Sequence, residues 1–278
     1  MPTLLINRDL QPWARRDRNQ RIDADDYGFK AGCLPTAALP RTPNLCAPAH
    51  DYIDPIPRSK WKDLINRLAH ADLHTLAGDR LPPHDQGRTN LCWAHGSVRT
   101  VEYAQLYETN HAILRSAESV GVPVTGGVNR GGYPEEALAR LISHGACRQD
   151  LWPKNSLKLS HWNDTVADDA QSGRVIRWLK VESWEMQVTL GLHRIPVAIG
   201  LGWWRHLVCQ VNPVILPDGS VGIGCDNSHG AKYGDNGYFL LDEASGTADI
   251  GAFAPLTVNW SSRQDTPYAS SVQLPLLP

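Results

Sequence analysis

Cys92 stands six residues after Gln86 in the run Gln86-Gly87-Arg88-Thr89-Asn90-Leu91-Cys92-Trp93-Ala94, and apolar spacing beyond it predicts a helix from Cys92 to about Tyr107. A thiol in the first turn of a helix faces unpaired amide N–H groups and the positive end of the helix dipole, which favour the nucleophilic thiolate. The Gln86 amide and the backbone N–H of Cys92 could together hold the oxyanion of an attacked carbonyl. His206 opens an apolar run, HLVCQV, and Asn227 lies in CDNSHG twenty-one residues later. An imidazole beside a thiol can take its proton, and an Asn amide can fix the ring's tautomer. Each residue also has an ordinary reading: a buried thiol, a core or rim histidine, a turn asparagine. A zinc site built from Cys92, His95, His206, Cys209, Cys225 and His229 is disfavoured, because residues three apart on a strand point to opposite faces. No metal and no cofactor is expected.

Helices are expected to supply the first of these groups and strands the others. Ser59 can cap a helix through Trp61, Leu64, Ile65, Leu68 and Leu73, which Leu81-Pro82-Pro83 ends. A third helix runs from Pro134 to about His144, with two acidic residues in its first turn and Gly145 as its stop. After Arg174 the chain turns to short β-branched and aromatic runs, and Leu216-Pro217-Asp218-Gly219 marks a hairpin. The expectation is an α+β fold with a helical lobe over about 58–173, an antiparallel, barrel-like β lobe over about 174–278, and a cleft between them. Residues 1–57 read as an extended, proline-punctuated arm with no apolar period, dispensable for folding the rest. An arm of that length outreaches one domain's radius, which favours a neighbouring chain as its contact and an assembly partner.

Composition narrows the classes. The 278 residues carry 27 Lys and Arg against 29 Asp and Glu, a formal charge of -2, which argues against nucleic acid as a partner. The best apolar run, Ile195 to Trp204, is about half the roughly 20 residues that cross a bilayer. The first residues, MPTLLINRDLQPWARR, encode no secretory signal, so the chain is expected in a cytoplasm or incorporated into a larger particle. Six cysteines without paired spacing are expected as reduced thiols.

Together the motifs resemble the papain-like cysteine peptidases over about residues 70–245. Gln86, Cys92-Trp93-Ala94, His206 and Asn227 fall in the family's order, and HGSVRTVE continues its central helix. Gly131-Gly132-Tyr133-Pro134 resembles its Gly-Gly-Tyr segment. Asn227-Ser228-His229-Gly230 with Gly234-Asp235-Asn236-Gly237-Tyr238 resembles its Asn-Ser-Trp-Gly ending. The resemblance implies Cys92 as nucleophile, His206 as base and acid, Asn227 as orienter and Gln86 as oxyanion donor. It further implies a peptide or protein substrate lying against Gly131, Gly132 and Trp93. Departures are visible too. Thr89 and Val128 stand where the family's secreted members place disulfide cysteines, and His229 replaces the Trp that shields the His–Asn pair. His95 replaces an aromatic, and Arg205 is expected to lower the pKa of His206. The arm lacks the long helical pattern of an inhibitory propeptide. The expected function is peptide-bond hydrolysis through a Cys92 acyl-enzyme. The alternative is a papain-fold structural subunit of a larger assembly, such as a virus or phage particle.

Overall fold

In the computed structural model of the chain, residues 4–6, 32–34 and 45–259 are described; most of the arm and the tail after 259 lie outside them. The three helices expected from the sequence form as α1 (Arg58–Leu68), α3 (Cys92–Thr109) and α5 (Pro134–Ser143). Between and beyond them run α2 (Leu73–Ala77), α4 (Glu118–Thr125), α6 (Asp164–Ala170), α7 (Trp184–Leu192) and α8 (Glu243–Gly246). α5 starts at Pro134, which needs no amide partner in the first turn, and ends where Gly145 takes φ +79°.

The strands are β1 (Leu5–Ile6), β2 (Cys46–Pro48), β3 (Arg174–Lys180), β4 (Val197–Leu201), β5 (His206–Ile215), β6 (Val221–Asp226), β7 (Tyr238–Leu241) and β8 (Gly251–Asn259). They join in one sheet of order β1-β7-β6-β5-β4-β8-β3-β2. Pairing is antiparallel through the middle and parallel at its two ends, β1 on β7 and β2 on β3. The β5–β6 hairpin turns at Leu216 to Gly219, with Gly219 at φ +81° as the turn requires.

Of the three apolar clusters among the described residues, the two larger give the molecule its two lobes. One gathers Trp93, Val98 and Val101 of α3, Val120 and Val122 of α4, and Leu138 and Leu141 of α5. The other lies against the sheet and holds Leu190, Val197, Ile199, Val208, Ile223 and Phe239. The lobe boundary differs from the expected one. α1 buries Trp61, Leu64, Ile65 and Leu68 in the sheet's core, so residues 58–68 belong to the β lobe and not the helical one.

The described parts of the arm also pack on this chain's own domain. Ile6, Ala49 and Ile53 are buried in the sheet's core, and the Ile56 amide donates to Thr189 Oγ1 at 2.9 Å. Scattered single apolar residues found sites on the domain although they showed no period in sequence. Deleting residues 1–57 should therefore cost about 4 kcal/mol or more, since losing each large buried side chain costs about 2 to 5 kcal/mol. Urea denaturation measures it. A midpoint equal to that of the full chain would return the arm to a dispensable attachment.

Candidate active site

Cys92 is the first residue of α3, fully buried, and the backbone amides of Leu207, Gly32, Trp93 and Cys33 act on its sulfur to favour the ionised form. Burial outweighs them and pushes the thiol up to about 11. α3 and the His206 strand meet at Gly96, where a Cβ would lie 2.3 Å from Leu207 Cδ2 and 2.9 Å from its carbonyl oxygen. Glycine thus lets the helix bearing Cys92 lie directly on the strand bearing His206.

His206 Nε2 lies 2.8 Å from Asn227 Oδ1. The backbone N–H of Ser228 donates to the same Oδ1 at 2.7 Å, which identifies that atom as the oxygen. Nε2 therefore carries the hydrogen of the neutral ring, and Nδ1 keeps the lone pair that can accept a proton. Burial lowers the imidazole to about 4, and the Asn227 bond partly opposes this. Arg205 contributes nothing to that shift: its side chain is exposed, and it takes φ +50° in the tight β4–β5 turn.

His229, in place of the family's shielding Trp, stacks on His206 at 4.6 Å between ring centroids and 18° between planes. The indole that covers the pair comes from elsewhere. Trp204 lies 4.8 Å from the His206 ring and packs against Tyr233 and Phe239. His206 is left 1% exposed, so the His–Asn bond is dry in spite of the replacement. The sequence reading missed Trp204, although an aromatic two residues before the histidine was visible.

Gln86 is fully buried and fixed at three points. Its backbone N–H donates to Ser228 O, its Nε2 to Thr89 O at 2.7 Å, and Ser228 Oγ donates to its Oε1 at 2.6 Å. Residues 84–86 and 228–230 are cross-linked by an Asp85–His229 bridge, which ties the Gln86 loop to the Asn227 turn. Where secreted members have the disulfide, Asn129 bonds the loop: Asn90 N–H donates to Asn129 Oδ1 at 2.8 Å, and Asn129 Nδ2 to Arg88 O at 3.1 Å. All six cysteines are free thiols.

A buried charge network beneath the site was also not read from the sequence. Arg99 of α3 bonds Asp226 at 2.8 Å and Glu102 at 3.0 Å, and Tyr103 Oη donates to Asp226. Asp226 immediately precedes Asn227, so the network holds the orienting residue to the nucleophile's helix. His84 Nε2 lies 3.0 Å from the buried Glu102, and its Nδ1 lies 3.2 Å from Nδ1 of His95. Glu102 is held at about 2: burial raises it, and His84, Arg99 and the Arg115 amide more than reverse that. Among the described residues no cluster of three or more His, Cys, Asp or Glu could hold a metal ion.

Residues 32–34 lie against Gly131 and Gly132, joined to them by an isolated parallel bridge between Cys33 and Gly132. Gly132 N–H donates to Gly32 O at 2.9 Å, Leu34 N–H to Gly132 O at 3.0 Å, and Cys33 N–H to Arg205 O at 3.0 Å. A Cβ on Gly131 would stand 2.5 Å from Gly32 O, so that close pairing needs glycine there. Trp93 corrects an expectation: its ring is fully buried directly beneath Gly132, where a Cβ would come within 2.4 Å of it. It forms the floor under the glycine.

No protein-family model matches the chain, and no curated protein matches it. Solved structures do. Digestive procathepsin L 3 of Tenebrio molitor larval midgut aligns with TM-score 0.58 and 16% identity over 77% of this chain and 74% of its own. Xylellain, a cysteine protease from Xylella fastidiosa, aligns with TM-score 0.57 and 15% identity over 84% and 97%. The proform of the ragweed pollen cysteine protease Amb a 11 aligns with TM-score 0.53 and 19% identity over 63% of this chain, which spans 62% of that protein's length. At these identities the likeness is one of architecture, and it agrees with the two lobes: the chain has the papain-like cysteine peptidase fold.

Proposed function

We propose that the chain is a thiol peptidase that hydrolyses peptide bonds through an acyl-enzyme on Cys92, and that residues 32–34 hold it latent. The observation that carries the reading is the His206–Asn227 bond, which leaves Nδ1 as the base on the strand that packs against the start of α3. With the cleft open, His206 Nδ1 takes the thiol proton and the thiolate adds to the scissile carbonyl. The Cys92 N–H and the pinned Gln86 amide hold the oxyanion, and the imidazolium passes its proton to the leaving amine. Water, activated by the same ring, then releases the acyl group. Gly132 supports an extended peptide as the substrate class, because it already exchanges backbone hydrogen bonds with a strand of this chain. Two of the matched proteins are named as pro-enzymes, which agrees with a cleft covered by the chain's own residues.

Opening the cleft by Gly32→Val should reveal cleavage of a proteome-derived peptide library, read by mass spectrometry. Adding Cys92→Ala should remove it by roughly 10⁴- to 10⁶-fold, as loss of a triad member does elsewhere. A folded, open-cleft chain that cleaves nothing overturns the peptidase reading in favour of a papain-fold subunit without activity.

A further inference from the structure

We propose that Cys33 and Cys92 form a redox modification site, closed into a disulfide by a peroxide, that locks residues 32–34 over the cleft. The regulatory consequence rests on Cys92 being the nucleophile; the bond itself does not. Cys33 is 1% exposed and Cys92 0%, and both belong to one packed cluster. Cys33 pairs with Gly132, which sits on the Trp93 ring next to Cys92, and the Cys33 N–H donates to Arg205 O next to His206, while Gly32 lies against the Asn90 carbonyl two residues before Cys92. Disulfides need Cα atoms about 4.4 to 6.8 Å apart. Contacts to Trp93, Asn90 and Arg205 hold Cys33 among the residues that flank Cys92 and His206. Cys147 shares the cluster but is bonded to α4, its N–H donating to Ser119 Oγ; Cys46 packs on the cluster from β2, Cys209 lies against Leu73 and Tyr103, and Cys225 is in the sheet's core.

The chemistry needs the strand to lift and return. Among the described residues, three backbone hydrogen bonds and the buried Cys33 side chain hold residues 32–34 in place, a set that local opening can break. Once lifted, Cys92 meets water and His206, ionises, and attacks the O–O bond of hydrogen peroxide. The sulfur gains OH as a sulfenic acid and hydroxide leaves. On return, Cys33 sulfur attacks Cys92 sulfur: the S–S bond forms, the S–OH bond breaks, and the hydroxyl departs with the Cys33 proton as water. Two thiols and one peroxide give one disulfide and two waters. Further oxidation of Cys92 to the irreversible sulfinic acid is thereby pre-empted.

The test treats the full chain with a small excess of hydrogen peroxide, blocks free thiols with N-ethylmaleimide and maps unreduced peptides by mass spectrometry. The expected result is a Cys33–Cys92 cross-linked peptide, with alkylatable Cys92 reduced at least tenfold and restored by dithiothreitol. Cys33→Ser should abolish the cross-link and send Cys92 on to the sulfinic acid, and Gly32→Val, which displaces the strand, should suppress it. Cys92 left as a thiol, Cys92 as sulfinic acid with Cys33 intact, or Cys33 linked to Cys46 would each overturn the proposal. Because the bond is read by mass, a chain with no peptidase activity answers the question equally well.

Discussion

Gly32→Val should raise the rate at which iodoacetamide labels Cys92 by about a hundredfold or more. In the parent chain Cys92 should be slow despite its place at a helix start, because residues 32–34 cover it and burial holds the thiol at about 11. Only the thiolate reacts, and at pH 7 a thiol of that pKa is about one part in ten thousand ionised. A Cβ at Gly32 would sit 2.2 Å from Asn90 O and 2.7 Å from its carbonyl carbon. Both are backbone atoms that cannot swing aside, so any side chain there must lift the strand. With the strand gone, water, the helix dipole and His206 all favour ionisation. Peptide mapping after timed labelling gives the rate for each cysteine. Equal Cys92 rates in the two folded chains would show that residues 32–34 do not control the thiol.

Stability should fall steeply as the pH drops below about 6.5. Burial holds three histidines neutral in the folded chain: His206 at about 4, His229 at about 2 and His95 well below its ordinary value. The unfolded chain binds protons at these rings near pH 6.5 while the folded chain does not, so acid favours unfolding. Each ring contributes up to about 1.4 kcal/mol per pH unit over that window, or about 4 kcal/mol per unit for three. Glu102 acts in the same direction at lower pH. Its carboxylate, held at about 2, stabilises the fold above its ordinary 4.5 and loses that contribution as the pH falls towards 2. Between pH 7 and pH 5 the Tm should drop by about 10 °C or more. His229→Phe should flatten the profile by removing one ring from the count. A Tm unchanged between these pH values would mean the rings protonate inside the folded chain.

Much of the site was legible because its chemistry depends on local signals. Cys92 at a helix start, the glycine pair before Pro134 and the order of Gln86, Cys92, His206 and Asn227 needed no knowledge of the packing. α7 was missed because nearly all of its residues are buried, so it has no polar face to give a helical period, although Ser183 caps it by accepting from Met186 N–H. The shield was sought at His229, the position of the motif, whereas the covering indole reaches the ring from the β4–β5 turn. The Arg99–Glu102–Asp226 network was hidden for a similar reason: Arg99 of α3 and Asp226 of β6 lie 127 residues apart, and only the fold joins them. The sites that the described stretches of the arm occupy were not legible either. A polar segment with a few apolar residues reads as detached until the sheet shows where those residues fit.

Both outer strands of the sheet come from the arm, β1 against β7 at one side and β2 against β3 at the other. An uncovered outer strand presents a row of unpaired N–H and C=O groups, a template for another chain to add itself. Two short stretches near the start of the sequence thus act as edge guards for a sheet that is otherwise laid down in the second half of the chain. Proteolysis that freed them would expose β7 and β3 together, giving each molecule two sites for strand addition and a route to end-to-end aggregation.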